Sequence, residues 1–295
     1  MSRQPEWRAS ELGERKRIET AHGPIAYHEM GDGRPLVLVH GFLANANIWR
    51  KLIPLITGDF RCFAVDWPLG SHYLPVRADA DLTPPGIRAL IADLLERLEL
   101  EDVVLMGNDS GGAYSQMVGA AGNDRIGALV LNSCETPEDR WPPKGFGHLK
   151  ASAQVAGGLN FMVQSLRVKR SWRSPIAYGR LAKRPMPDSV MWSFVDPFFQ
   201  VAEIRRDARK VIRNVGPSFH RSAAETLIAE FERPVIFAWG GDERVFPIAH
   251  ARNYSAALAD SQLRVVPDSF TYVSEDNPDA LAEELKEALK PLQVA

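Results

Sequence analysis

Cysteine is nearly absent from this chain: Cys62 and Cys134 are the only two in 295 residues. So widely separated a pair reads as buried thiols in a reducing compartment, and it excludes a disulfide framework. No apolar run approaches the ~20 residues that a membrane helix needs, which excludes a span. A basic surplus is missing too. The formal charge of −2 argues against a nucleic-acid partner, because phosphate binding needs excess cations on one face. The first twenty residues are charged and hold no apolar stretch, so they do not read as a secretory leader. No Cys/His cluster has ligand spacing, so neither a metal nor an organic cofactor is implied. Gly-x-Gly-x-x-Gly does not occur, which removes the dinucleotide fingerprint. The expectation is a cytoplasmic protein with a small-molecule substrate and no nucleic-acid or membrane partner. Its oligomeric state stays open.

What is present is an alternation. Leu36–Val39, Cys62–Val65, Val103–Met106, Ala128–Leu131, Val235–Ala238 and Leu263–Val266 are short apolar runs that read as buried strands. Between and after them, Ile87–Leu98, Gly111–Ala121, Ile248–Ala259 and Asp279–Leu289 have helical character. Such alternation implies a mostly parallel sheet with right-handed crossovers. Arg17–Thr20 and Ile25–His28 flank a Gly-Pro turn and read as a leading hairpin. From about Glu135 to Glu230 the rhythm breaks. That stretch is rich in Pro, Arg and aromatics and reads as an inserted, mainly helical cap, whose aromatics also serve to pack a second small core.

The most informative segment runs from Val103 to Gly112. A strand ends, Gly107-Asn108-Asp109-Ser110-Gly111 follows, and a helix begins. This spacing is that of a nucleophile elbow, in which small residues two before and two after the central one let strand and helix pack closely. The central residue is Asp109, and carboxylates do act as covalent nucleophiles. Reading Ser110 as a protease nucleophile would require an all-β chain and would put Asn108 in the tight position. A Gly-rich turn without chemistry is the plain alternative.

Three motifs occur in order at fitting separations: His40-Gly41-Phe42, the Asp109 elbow, and Trp239-Gly240-Gly241-Asp242-Glu243. Together they resemble the α/β-hydrolase superfamily, and within it the haloalkane dehalogenase and epoxide hydrolase branch that uses an aspartate nucleophile. The resemblance implies the α/β-hydrolase fold, with a mostly parallel eight-stranded sheet and an inserted helical cap. Residues 1–134 and 231–295 would form the core and 135–230 the cap. It implies an oxyanion hole from the backbone N–H groups of Phe42 and Ser110. It puts Glu243 at the position of the triad acid, with Asp242 as the neighbouring alternative. His40 reads as a brace for its loop.

The resemblance also exposes a gap. The family's catalytic histidine follows the last strand, and Pro267–Pro278 contains none; Thr271 stands at its place. The last histidine of the chain is His250. An ordinary carboxylate is ionised near pH 7, so attack by Asp109 needs no base. Hydrolysis of the resulting ester does need one, and losing it typically costs about 10²–10⁴-fold. His72, in a loop at the carboxyl edge of the sheet, is a candidate replacement, and Glu135, at the same edge, a candidate acid. The family's substrate markers are absent. Ser110 replaces a halide-binding tryptophan, Phe42 replaces an asparagine, and Tyr178 is the lone tyrosine of the cap. The reading is a hydrolase-class enzyme that acts on a small, largely apolar organic molecule through Asp109. The alternatives are a binder that no longer turns over, and a lyase or isomerase with Asp109 as proton shuttle.

Overall fold

Runs that are apolar at every position can be buried on both faces only in the middle of a sheet. That is where they lie in the computed structural model, which describes residues 7–290. The strands are β1 (Glu14–Thr20), β2 (Gly23–Met30), β3 (Arg34–Val39), β4 (Phe60–Val65), β5 (Val103–Asn108), β6 (Ile126–Asn132), β7 (Val235–Gly240) and β8 (Ser261–Val266). They form one eight-stranded sheet in the order β1-β2-β4-β3-β5-β6-β7-β8. β1 and β2 pair antiparallel, β2 pairs antiparallel with β4, and all remaining pairs are parallel. This is the fold expected from the sequence.

Successive side chains of a strand point to opposite faces, so each central strand feeds two cores. Leu36, Leu38, Val104 and Met106 join the core on one side of the sheet. Val37, Val39, Val103 and Leu105 join the other. The leading hairpin is longer than its apolar residues suggested. β1 begins at Glu14 and carries Arg15, Lys16 and Arg17, charges suited to an exposed edge.

The crossover helices follow local signals. Helix Pro84–Arg97 starts with two prolines, where missing N–H groups cost nothing, and the Thr83 hydroxyl accepts from the Gly86 N–H at 3.3 Å. Helix Ser110–Ala120 follows β5, and Ile248–Ala257 follows β7. Between β6 and β7 the chain forms no strand. Its helices there include Gly147–Gln154, Gly158–Gln164, Asp188–Gln200, Ala202–Asn214 and Arg221–Glu230. Aromatics pack this part internally, with Trp172 meeting Trp192 edge-on at 5.0 Å between ring centres. Polar bonds fasten it to the loop after β3. The Asn45 side chain donates to the Ser193 carbonyl at 2.8 Å, and the Tyr178 hydroxyl donates to the Leu43 carbonyl at 2.8 Å.

Candidate active site

Asp109 sits between the last residue of β5 and the first of the following helix, at φ 54° and ψ −139°. A non-glycine residue there carries strain of order 1–3 kcal/mol, which its surroundings must hold in place. They do so with hydrogen bonds. Its N–H donates to the Ser133 carbonyl at 3.1 Å, and its carbonyl accepts from the Gly112 N–H at 2.8 Å. The Asn108 amide donates to the carbonyls of Asn132 and Thr271 at 2.9 and 2.8 Å. Close approach accounts for the glycines. A Cβ at Gly41 would lie 2.3 Å from Asp109 Oδ2, and one at Gly107 would lie 2.5 Å from the Gly111 carbonyl oxygen.

His40 is fully buried and braces this junction. Its Nε2 accepts from the Trp67 N–H at 3.0 Å, which leaves Nδ1 to donate to the Gly41 carbonyl at 2.9 Å. Burial pushes this imidazole down to about 4, so it stays neutral. Neither amide proposed for the oxyanion hole stands free. The Phe42 N–H donates to Ser110 Oγ at 3.0 Å, and the Ser110 N–H is turned to the Asp109 carboxyl, whose charge it favours.

Asp109, Ser110, Phe42 and Leu43 form the floor of a cavity of roughly 220 Å³. Its walls come largely from the stretch between β6 and β7, including Trp141, Phe146, Met162, Leu166 and Tyr178. A largely apolar pocket with one carboxylate at its base suits a small organic ligand.

Residues 34–278 match the family model described as alpha/beta hydrolase fold. The chain belongs to that family. Haloalkane dehalogenase 2 of Mycobacterium tuberculosis (strain ATCC 25618 / H37Rv) is 25% identical to this α/β hydrolase over 270 residues, covering 90% of this chain and 91% of the relative. Non-heme chloroperoxidase CPO-A1 of Kitasatospora aureofaciens is 26% identical over 258 residues, covering 83% and 87%. The crystal structure of haloalkane dehalogenase DbeA from Bradyrhizobium elkani USDA94 matches with a TM-score of 0.77 at 18% identity, over 95% of this chain and 98% of that one. At that identity the likeness speaks for the fold.

The structure of this α/β hydrolase also places the remaining candidates. Glu243 Oε1 accepts from the backbone N–H groups of Arg244, Val245 and Phe246 at 2.8, 2.7 and 3.3 Å. The same oxygen accepts from the hydroxyl of Thr271 at 2.8 Å, while Oε2 is buried without a partner. Asp242 turns outward and pairs with Lys183. Thr271 is fully buried, and its main chain is tied to Asn108 beside the elbow. Glu135 is fully buried, with neither carboxyl oxygen hydrogen-bonded. His72 is buried with its Nε2 3.3 Å from Asp207, not on the cavity wall.

Charge crowding sets the protonation states. Burial pushes the Asp109 carboxyl up to about 7; the Ser110 N–H holds it down, and the Glu243 charge adds to the rise. Asp109 therefore ionises less readily near neutral pH than the ordinary carboxylate expected from the sequence. Burial, then the Asp109 charge, pushes Glu135 well above the usual carboxylate range. Glu243 is also raised by burial, against the pull of its backbone and Thr271 bonds.

Two functional candidates escaped the sequence reading. His148, on helix Gly147–Gln154, lines the same cavity as Asp109. No periodicity in that stretch marks it. Tyr272 has a buried hydroxyl without a partner, and its ring lies 6.5 Å from that of Tyr178. It comes from the loop after β8, so counting tyrosines in the cap alone missed it.

Proposed function

We propose that this α/β hydrolase acts on a small, largely apolar organic molecule through Asp109 as nucleophile, with residues 135–230 as its cap. A carboxylate oxygen forms a bond to the substrate carbon, and the leaving group departs with the bonding electron pair. The observation that carries the reading is Asp109 on a strained elbow at the floor of an apolar cavity. The Ser110 N–H supports the carboxyl oxygen that becomes the ester carbonyl. Glu243 and Thr271 occupy the side from which water would be activated, and no imidazole accompanies them there. Attack is therefore faster than hydrolysis, and the ester accumulates.

One observation favours a second reading. A carboxyl that titrates near 7 is well matched to moving protons at neutral pH, which suits a lyase or isomerase. Intact-mass analysis after exposure to alkyl halides, epoxides and esters separates the two. An adduct mapped to Asp109 supports nucleophilic chemistry. Product formed without an adduct, with no water incorporated, supports proton transfer. A silent panel with measurable ligand binding supports a binder and sinks both catalytic readings.

A further inference from the structure

The chain distributes its charge unevenly. Between Asp139 and Asp188 it has ten Lys or Arg and no Asp or Glu, although the whole chain carries −2. The same stretch holds four of the five large hydrophobic residues exposed among the described residues: Val155, Phe161, Val168 and Ile176, with Phe161 83% exposed. Arg167, Lys169, Arg170 and Arg173 are interleaved with them and also exposed. Part of the charge is neutralised. Lys169 pairs with Asp188, and Lys183 and Arg184 pair with Asp268. Lys150 turns to the carbonyls of Arg213 and Val215. A surplus remains on the turn Lys169–Arg173, where Arg170 and Arg173 face solvent.

The inner side of this strip lines the cavity through Met162 and Leu166, and the exposed Ile176 also borders it. One short stretch thus carries a basic, apolar outer surface and an apolar inner wall. Large apolar side chains standing in water among cations have a natural partner. The apolar groups enter the boundary between headgroups and acyl chains, while Lys and Arg meet anionic headgroups. We infer that the outer face of residues 155–176 docks on an anionic lipid bilayer. The expectation of no membrane partner rested on a missing span. No helix among the described residues is long and apolar enough to cross a membrane, but lying on a surface needs no crossing. An acidic protein would match the charge. It would also need a recess for its own side chains, and the recess at this strip is the cavity above Asp109. Docking does not depend on the chemistry at Asp109. If that chemistry is as proposed, an apolar substrate passes from the acyl chains to the cavity without crossing water.

Flotation of the full chain with vesicles tests this. The vesicles are phosphatidylcholine alone, or phosphatidylcholine with about one third phosphatidylglycerol. The protein is expected to float with the anionic vesicles at low salt, not with the neutral ones, and to be released at roughly 0.5 M salt. Joint Arg167→Glu, Arg170→Glu and Arg173→Glu should lower the partition coefficient by about 100-fold or more. Joint Phe161→Ser and Val168→Ser should lower it about tenfold. These positions are exposed, and an unchanged melting temperature shows that the variants fold. Three results overturn the proposal: no flotation with anionic vesicles at low salt, binding indifferent to both variants, or a dimer in light scattering that Phe161→Ser dissociates. The last would assign the face to a second copy.

Discussion

The elbow and the loop after β8, joined by the bond from the Asn108 amide to the Thr271 carbonyl, are built to different standards. On the elbow side, Asp109 is fixed by a strained backbone, by glycines that leave no room for a Cβ, and by Asn108 bridging two neighbouring segments. On the side of the loop after β8, a threonine hydroxyl fills the place beside Glu243. Both sides are packed, and on the loop side Thr271 is hydrogen-bonded to Glu243 Oε1, so neither side is a damaged version of the other. The elbow side is held rigid, as the proposed attack by Asp109 requires. The loop side is satisfied without a group that takes a proton from water. Fold and elbow can therefore be complete in a chain whose loop after β8 carries no histidine.

The largest effect should come from the elbow. Asp109→Asn replaces the nucleophile with an amide and should abolish adduct formation, a loss of roughly 10³-fold or more in labelling rate by intact mass. If labelling persists, the comparison fails at its first term. Thr271→His attacks the other side. The Thr271 hydroxyl is 2.8 Å from Glu243 Oε1, so an imidazole there has a carboxylate to orient it. Decay of the pre-formed ester should speed up by about 10²–10⁴-fold in a chase experiment. An unchanged decay rate would mean that the loop lacks more than a base.

The pH dependence is a smaller effect that tests the floor itself. Asp109 is pushed up to about 7, and only its ionised form attacks. The labelling rate should fall about tenfold per pH unit below 6 and level off above 8. A profile flat from pH 5 to 8, which an ordinary carboxylate would give, would show that burial does not perturb Asp109. The smallest effect separates its two acidic neighbours. Glu243→Gln removes a charge that raises Asp109 while keeping an oxygen for the backbone bonds, so labelling at pH 6 should rise by about two- to threefold. Burial, the Ser110 N–H and the Glu243 charge set the Asp109 midpoint, so Glu135→Gln should leave the midpoint of the profile in place. A shift with Glu135→Gln but none with Glu243→Gln would reverse the assignment.

Legibility in the sequence followed the range of the forces involved. The central strands were legible because burial on both faces demands uninterrupted apolar residues, as in Val103–Met106. The elbow was legible because the close contacts at Gly41 and Gly107 leave glycine as the fit. The start of β1 was not, since Glu14–Arg17 belongs to an edge where composition is governed by solvent. Nor was the partnership of His72 with Asp207, 135 residues away, or the arrival of His148 in the cavity wall. Both depend on how the helices between β6 and β7 stack over the sheet. The charge state of Asp109 was misjudged for a related reason: it depends on burial and on Glu243, and neither is local in sequence.

The three backbone N–H groups that converge on Glu243 Oε1 give that carboxylate a second occupation. It is the keystone of the turn that leads from β7 to helix Ile248–Ala257, and it would be so with no reaction to serve. Discarding a side chain with that mechanical job costs the turn whether or not a histidine stands opposite. An acid at this position therefore marks where a catalytic pair can be rebuilt. It certifies the architecture of the turn and not the traffic through the site.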